Sequence, residues 1–266
     1  MSSAASLVQE PILFCSDADG ITTLTLNRPK QFNSLSGALL AEMHTALGTI
    51  GNDPSVRVVV IAGNGAAFCA GHDLKEMRAN RSREAVKELF ERCCRMMMTI
   101  SEIPQPVIAR VHGIATAAGC QLVAQCDLAV ASATARFATS GINVGLFCST
   151  PGVAVSRNLS RKRAFEMLFT GDFIDAQTAL FQGLVNRVVP IEALDSEVEK
   201  LARTIAAKPR VAVSAGKRLF YKQLEAGLEQ AYALAAEAIT CNMMTDEAAE
   251  GIAAFMEKRP PRWPTS

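Results

Sequence analysis

Hydrophobic and polar positions follow two different periods in the first third of the chain. Residues 12–16 and 21–26 are short runs rich in β-formers, and Asp17-Ala-Asp-Gly between them has the composition of a hairpin turn. From Ser36 onward the apolar positions recur at the spacing of a helix face, and residues 56–62 then form a Val/Ile-rich run. Such a run is typical of a strand that is buried on both faces.

The order of strand and helix recurs further along the chain. We predict helix 82–101 before strand 107–111, and helix 118–126 before strand 128–132. Alternation of this kind predicts an α/β core. Further helices are predicted at 152–169, 175–182, 192–206 and 209–239.

The last predicted helix carries an apolar stripe. Its members recur at helical spacing, and they are Leu219, Phe220, Leu224, Leu228, Ala231 and Leu234. The simplest interpretation is packing against the core or against another subunit, not a lipid site. We therefore divide the chain into an α/β core over residues 1–195 and a helical C-terminal region over residues 196–266.

Composition and charge exclude several classes of function. Hydrophobic residues make up 49% of the 266 residues and charged residues 20%, which is ordinary for a well-packed enzyme. The net charge of +1 leaves no single-sign field that would attract nucleic acid or an anionic membrane. No segment reaches the roughly 20 apolar residues that span a bilayer. The first residues also lack the features of a leader sequence, so we expect a cytoplasmic location.

The cysteines and histidines do not have the spacing of metal ligands. The eight cysteines contain no C-x-x-C pair, and the chain has only three histidines. A zinc site is therefore not expected. Small buried thiols in a reducing compartment are the better interpretation.

Several motifs occur in an order that is more specific than any one of them. They are Leu26-Asn-Arg-Pro-Lys, Phe68-Cys-Ala-Gly-His-Asp, the Gly/Ala-rich run 113–127, Thr170-Gly-Asp-Phe-Ile-Asp, and Gly183-Leu-Val-Asn-Arg-Val-Val-Pro. Together they resemble the crotonase, or enoyl-CoA hydratase/isomerase, superfamily over nearly the whole chain. The resemblance implies a crotonase-like α/β spiral of β-β-α repeats with a C-terminal helical trimerisation region. It also implies a homotrimer or a dimer of trimers.

The resemblance further implies an acyl-CoA thioester as substrate and no separate cofactor. Members of the family stabilise the negative thioester oxygen with two backbone N–H groups, which by position map to Ala70 and Ala118. A backbone donor needs no particular side chain, only a small one that admits the thioester. Removing one such donor typically costs on the order of 10²–10³ in rate. Taken alone, Ala118 could simply reflect tight helix packing.

Two positions depart from the family pattern. Hydratases of the family carry catalytic glutamates where this chain has Gln121 and Gly141. A primary amide can orient water but cannot exchange a proton near neutral pH. General acid/base catalysis normally contributes about 10²–10⁴-fold. We therefore expect weak hydration activity.

Two other side chains could supply chemistry. His72 follows Ala70 closely, and histidine is the natural base near neutral pH. The neighbouring Asp73, however, is the acid that usually ties down this loop in the family. Cys148 as a nucleophile would need a base, and none is evident in the sequence.

The resemblance also implies a set of substrate contacts. Lys30 and Phe32 match positions at the adenine and pantetheine end of CoA, while Phe255 and Lys258 match a closing helix that helps enclose the nucleotide. The remaining contacts fall in the two loops, at Ala70, Gly71, His72, Asp73, Leu74 and Ala118. For Lys30 and Lys258 the alternative is solvated surface charge.

Two functions of different classes remain open. The first is an enzyme of fatty acid metabolism of the enoyl-CoA hydratase/isomerase type. The second is a non-catalytic acyl-CoA binder, or an assembly partner of active relatives. The missing glutamates favour the second, whereas the loops and the CoA-side residues fit both.

Overall fold

A computed structural model describes residues 10–263. Over these residues the strands are β1 (Leu13–Ala18), β2 (Ile21–Leu26), β3 (Val58–Gly63), β4 (Ala67–Cys69), β5 (Val107–Val111), β6 (Ile114–Thr116), β7 (Leu128–Ser132), β8 (Arg136–Ala138), β9 (Ile174–Asp175) and β10 (Arg187–Val189). The helices are α1 (Gly37–Gly51), α2 (Leu74–Ala79), α3 (Arg83–Glu102), α4 (Ala118–Gln125), α5 (Ser149–Asn158), α6 (Arg161–Thr170), α7 (Ala176–Gln182), α8 (Leu194–Ala206), α9 (Arg210–Leu224), α10 (Leu228–Met243) and α11 (Asp246–Met256). None of these helices combines the length and apolar character that crossing a membrane requires.

Two sheets organise the core. The larger has the order β1-β2-β3-β5-β7-β10, and the smaller has the order β4-β6-β8-β9. The predicted hairpin is confirmed, since β1 pairs antiparallel with β2, and the other pairings of the larger sheet are parallel. Each of β3, β5 and β7 is followed at once by a short strand of the smaller sheet and then by a helix. This repeat of two strands and a helix is the expected α/β spiral.

Strand β3 is buried on both faces, as the sequence predicts. All six of its residues are buried. Val59 and Ile61 belong to the larger apolar cluster, which also contains residues of α1, α3 and α4. Val58 and Val60 belong to a second cluster, where α8 covers the opposite face of the sheet. The division predicted between residues 195 and 196 stays a prediction.

Two predicted helices are each a pair of helices in the structure. The run 209–239 is divided into α9 and α10, because Gly227 has extended backbone angles and begins a new helix as its N-cap. The run 152–169 is divided into α5 and α6, because Leu159 and Ser160 are extended. Apolar positions keep helical spacing across both breaks, so periodicity alone did not reveal them.

A buried ammonium group fixes α9 to the core. Lys217 Nζ lies 2.7 Å from Asp127 Oδ2 and donates to the carbonyls of Ile100 and Gln105 at 2.7 and 2.8 Å. The Tyr221 hydroxyl donates to the other oxygen of Asp127 at 2.7 Å. Burial lowers the pKa of Lys217, and Asp127 opposes that shift. One side chain therefore joins α9 to the end of α3 and to the residues that follow α4.

We expect Lys217→Met to lower the free energy of unfolding by about 3 kcal/mol, because it leaves a largely buried carboxylate without its counter-ion. Chemical denaturation measures the change. Lys222→Met is the matched control, since Lys222 is exposed on the same helix and makes no ion pair among the described residues. Equal stability of the two variants would show that the buried pair contributes nothing beyond its packing.

Candidate functional site

Two loops leave the smaller sheet at the same edge. Strand β4 leads into residues 70–73, and β6 leads into α4, while β4 and β6 are parallel neighbours. The loops touch, because a Cβ built on Gly71 would lie 2.8 Å from Ala117 Cβ and 3.1 Å from the amide nitrogen of Ala118. Gly71 has φ +89°, which also favours glycine. The structure thus brings together the two loops that the sequence singled out.

The second loop presents the amide of Ala118. Ala118 is the first residue of α4, where a backbone N–H has no partner within the helix. The preceding Ala117 has φ 52° and ψ −121°, provides no side-chain cap, and is strained for a residue with a Cβ. None of the described residues accepts a hydrogen bond from the Ala118 amide. The Ala118 prediction is therefore compatible with the observed geometry.

The first loop differs from the prediction for Ala70. Its amide donates to the carbonyl of Phe32 at 3.0 Å, so it is not free to stabilise an oxyanion. The neighbouring His72 pairs with Leu35 as an isolated parallel bridge. In that bridge Leu35 N donates to Gly71 O and Asp73 N donates to Leu35 O, which leaves the His72 amide without an acceptor among the described residues. His72 replaces Ala70 as the residue of this loop with an unused N–H.

Asp73 holds the first loop in place. Its Oδ1 accepts from the amides of Lys75 and Glu76 and so caps α2, while its Oδ2 lies 2.9 Å from an Arg28 nitrogen. Burial raises the pKa of Asp73, but the Arg28 guanidinium and the two amides outweigh it, and the pKa falls below its usual range. The expected structural role of Asp73 is thus supported by its bonds.

The His72 side chain is buried next to an aromatic ring. Both ring nitrogens lack a hydrogen-bond partner among the described residues, and the ring meets Phe90 edge-on at 5.0 Å. Burial lowers the pKa of the imidazole, with the Leu35 backbone and Glu76 acting in the opposite direction. No described group is placed to pass it a proton, so a role for His72 as a base stays a hypothesis.

The two positions that lack glutamates have different surroundings. Gln121 on α4 is only 4% exposed, and its Oε1 has no hydrogen-bond partner. Gly141 lies in the 3-10 helix Ser140–Val144, where a Cβ would fall 2.6 Å from Leu146 O and 2.8 Å from Cys148 Sγ. The loop that follows therefore fills the space that a side chain at 141 would need.

The cysteines do not offer an activated nucleophile. The Cys148 thiol is buried, and burial raises its pKa. The same cause raises the pKa of Cys69 and of Cys120 to about 12. Residues 10–263 also contain no group of three or more potential ligands that could hold a metal ion.

The four side chains expected at the nucleotide end of CoA lie at the surface. Lys30 and Phe32 follow β2, with Phe32 56% exposed. Phe255 at the end of α11 is 86% exposed, and Lys258 beyond it is exposed too. Among the described residues, no hydrogen bond or ion pair joins Lys30 or Phe32 to Phe255 or Lys258. Leu74, the first residue of α2, is also exposed.

Comparisons with known proteins identify the family of this chain. A sequence profile of the enoyl-CoA hydratase/isomerase family matches residues 16–266. The chain belongs to that family. It is 48% identical to human "Enoyl-CoA hydratase domain-containing protein 3, mitochondrial" over 245 residues, which are 92% of this chain and 81% of that protein. It is 33% identical to "Crotonyl-CoA hydratase" of Syntrophomonas wolfei over 244 residues, or 90% of this chain and 92% of that protein.

Solved structures of the family confirm the crotonase fold. An enoyl-CoA hydratase from Mycobacterium smegmatis superposes with a TM-score of 0.95 at 61% identity, over 96% of this chain and all of that one. The membership and the α/β fold predicted from the sequence are therefore correct.

Sequence reasoning missed the contacts that hold the site loops together. Asn33 is fully buried and its side-chain nitrogen donates to the carbonyls of Asn64 and Ala67, both at 2.8 Å. Arg28 was part of a recognised motif but had no assigned role. In the sequence, Arg28 and Asn33 are polar residues shortly after β2, and such residues usually lie on the surface of a loop. Nothing in the sequence therefore indicated that they hold the site together.

We expect Gly141→Ala to lower the free energy of unfolding by about 2 kcal/mol, because its Cβ overlaps a backbone oxygen. Gly48→Ala is the control, since nothing lies within 4 Å of the added Cβ in α1. The control should instead be stabilising by about 0.5–1 kcal/mol, as expected for alanine in a helix. Thermal or chemical denaturation measures both, and changes of the same sign would contradict the packing around Gly141.

Proposed function

We propose that this chain binds an acyl-CoA thioester between the two loops and that the amides of Ala118 and His72 donate to its carbonyl oxygen. One observation carries the proposal: two unused backbone N–H groups on touching loops, held by rigid elements. The start of α4 adds positive potential at the Ala118 amide. Fixed donors of this kind favour the form of a thioester that bears negative charge on oxygen, as in an enolate.

The proposed reaction is of the enoyl-CoA hydratase/isomerase type, in fatty acid metabolism. Similarity to relatives that are named hydratases supports the substrate class. Water addition requires proton transfer, yet Gln121 is an amide and position 141 has no side chain. Enolate stabilisation can still operate, while classical hydration should be weak.

The alternative is a non-catalytic acyl-CoA binder or an assembly partner of active relatives. It is favoured by a site without a carboxylate at either glutamate position and with a His72 ring whose nitrogens have no hydrogen-bond partner among the described residues. Such a protein would retain the thioester without turning it over. Binding and turnover therefore have to be measured separately.

Calorimetric titration with crotonyl-CoA and with a longer enoyl-CoA tests the proposal, with products followed by mass spectrometry in the same samples. We expect binding of both thioesters with slow or no hydration. Gln121→Glu is the informative variant, because it restores one exchangeable carboxyl group without adding bulk, and it should raise the hydration rate. The Gln121→Met variant keeps a similar volume without polarity and should not.

Each result has a distinct consequence. Turnover by the natural chain establishes an enzyme and identifies its reaction. Binding without turnover favours the alternative. The absence of affinity for any CoA thioester contradicts the proposal as a whole.

The nucleotide end of CoA is proposed to lie near Lys30 and Phe32. Phe255 and Lys258 would then come from another subunit, because both are exposed and no bond among the described residues joins them to Lys30 or Phe32. Lys258 would meet a phosphate as a point charge. A homotrimer or dimer of trimers fits this division of the site.

The apolar surface of the C-terminal region supports assembly. No residue of the 16-residue helix α10 is buried, although most of its side chains are apolar. Leu228 and Tyr232 are 77% and 71% exposed. Outside that region, α6 carries a second exposed patch with Phe165 and Phe169, whose rings stack with centroids 3.9 Å apart. Apolar surface of this extent marks an interaction site.

We expect Leu228→Glu to dissociate the assembly, because it places a charge in the proposed apolar interface. Light scattering coupled to gel filtration should show a trimer or hexamer for the natural chain and a smaller species for the variant. Gln230→Glu adds the same charge at an exposed polar position of α10 and should leave the mass unchanged. A monomeric natural chain would contradict the proposed assembly.

A further inference from the structure

An ion pair joins the end of β2 to the residue that follows His72. The Arg28 guanidinium lies 2.9 Å from Asp73 Oδ2, and the two side chains are only 17% and 13% exposed. The other terminal nitrogen of Arg28 donates to the carbonyl of Ser34, and the Ser34 hydroxyl is 3.3 Å from the same Asp73 oxygen. Planar guanidinium donors can hold two acceptors in a fixed geometry, which an ammonium does not do.

The ion pair between Arg28 and Asp73 lies directly after His72, whose amide is the proposed donor. Two backbone hydrogen bonds to Leu35 flank His72. Gly71 O accepts from Leu35 N, and Asp73 N donates to Leu35 O. Asp73 is in turn held on one side by the amides of α2 and on the other by Arg28. These backbone bonds orient the His72 N–H, and Asp73, whose amide makes one of them, is itself held by Arg28 through its carboxylate.

We propose that Arg28 is a positioning residue that aims the His72 amide at the thioester carbonyl, without touching the substrate itself. The inference rests on the proposed function, since it presumes that the two amides receive the carbonyl. Arg28 would act on the His72 amide through Asp73, the loop side chain that it pairs with.

Other bonds hold this segment in place when Arg28 is changed. The Asn33 side chain joins the segment after β2 to the carbonyls of Asn64 and Ala67, and Ala70 N donates to Phe32 O. The pairing of Leu35 with His72 is made by the backbone. Loss of the guanidinium should thus loosen Asp73 and tilt the His72 peptide, while the loop stays attached.

The test is the ¹³C chemical shift of a bound thioester carbonyl. Butyryl-CoA labelled at C1 is saturated, so it cannot be hydrated during the measurement. Donors at the carbonyl oxygen polarise the bond, and its resonance should move downfield on binding to the natural chain. In Arg28→Met at saturating ligand, that downfield displacement should fall by more than half. A purely structural loss would lower stability without changing the shift of the molecules that still bind.

Two further variants keep the result interpretable. Arg28→Lys retains the charge but cannot bond Asp73 and Ser34 together in the same geometry, so its shift should be intermediate, and it decides the matter if Arg28→Met does not fold. Arg163→Met is the control, because Arg163 is exposed on α6 and Glu166 is its one ion-pair partner among the described residues. Its shift should equal that of the natural chain.

The outcomes separate the two proposals. If the natural chain binds no butyryl-CoA, or binds it without a downfield shift, the proposed function fails. If the natural chain shows the shift and both Arg28 variants retain it in full, the proposed function stands and the role of Arg28 is overturned.

Discussion

The closest approach in the site is between helix α4 and strand β4, and the rest of the site depends on it. A Cβ at Gly119 would lie 2.0 Å from the carbonyl oxygen of Cys69, so only glycine allows the helix to come so near. That approach brings the amide of Ala118 beside residues 70–73. The strained backbone of Ala117 is the cost of directing the helix into this contact.

The two amides have few side chains near them that could transfer a proton. Gln121 contributes an amide oxygen without a partner among the described residues, His72 an imidazole whose pKa burial lowers, and Gly141 only backbone. The loop 145–148 takes up the room beside Gly141. A site built this way can polarise a carbonyl but has little means of moving protons, which is why binding and catalysis are separate questions for this chain.

The C-terminal helices combine firm attachment with an uncovered surface. Lys217 and Asp127 fix α9 to the core through a buried ion pair, whereas no residue of α10 is buried. A helix that is anchored by its neighbour and apolar on its free side fits a subunit interface. The same region carries Phe255 and Lys258. If these residues contact the nucleotide of CoA bound to another subunit, nucleotide binding depends on assembly.

The sequence by itself determined the family, the α/β class, the buried strand β3 and the two loops, because these depend on local periodicity and on short motifs. It did not determine which amide of the first loop is free, since Ala70 is occupied by Phe32, a residue 38 positions away, and only chain packing brings them together. The break at Gly227 and the three-residue strands β4, β6 and β8 were equally hidden, being too short for any period. Tertiary structure alone decided that Arg28 and Asn33 hold the site, because their partners are distant in sequence and adjacent only after folding.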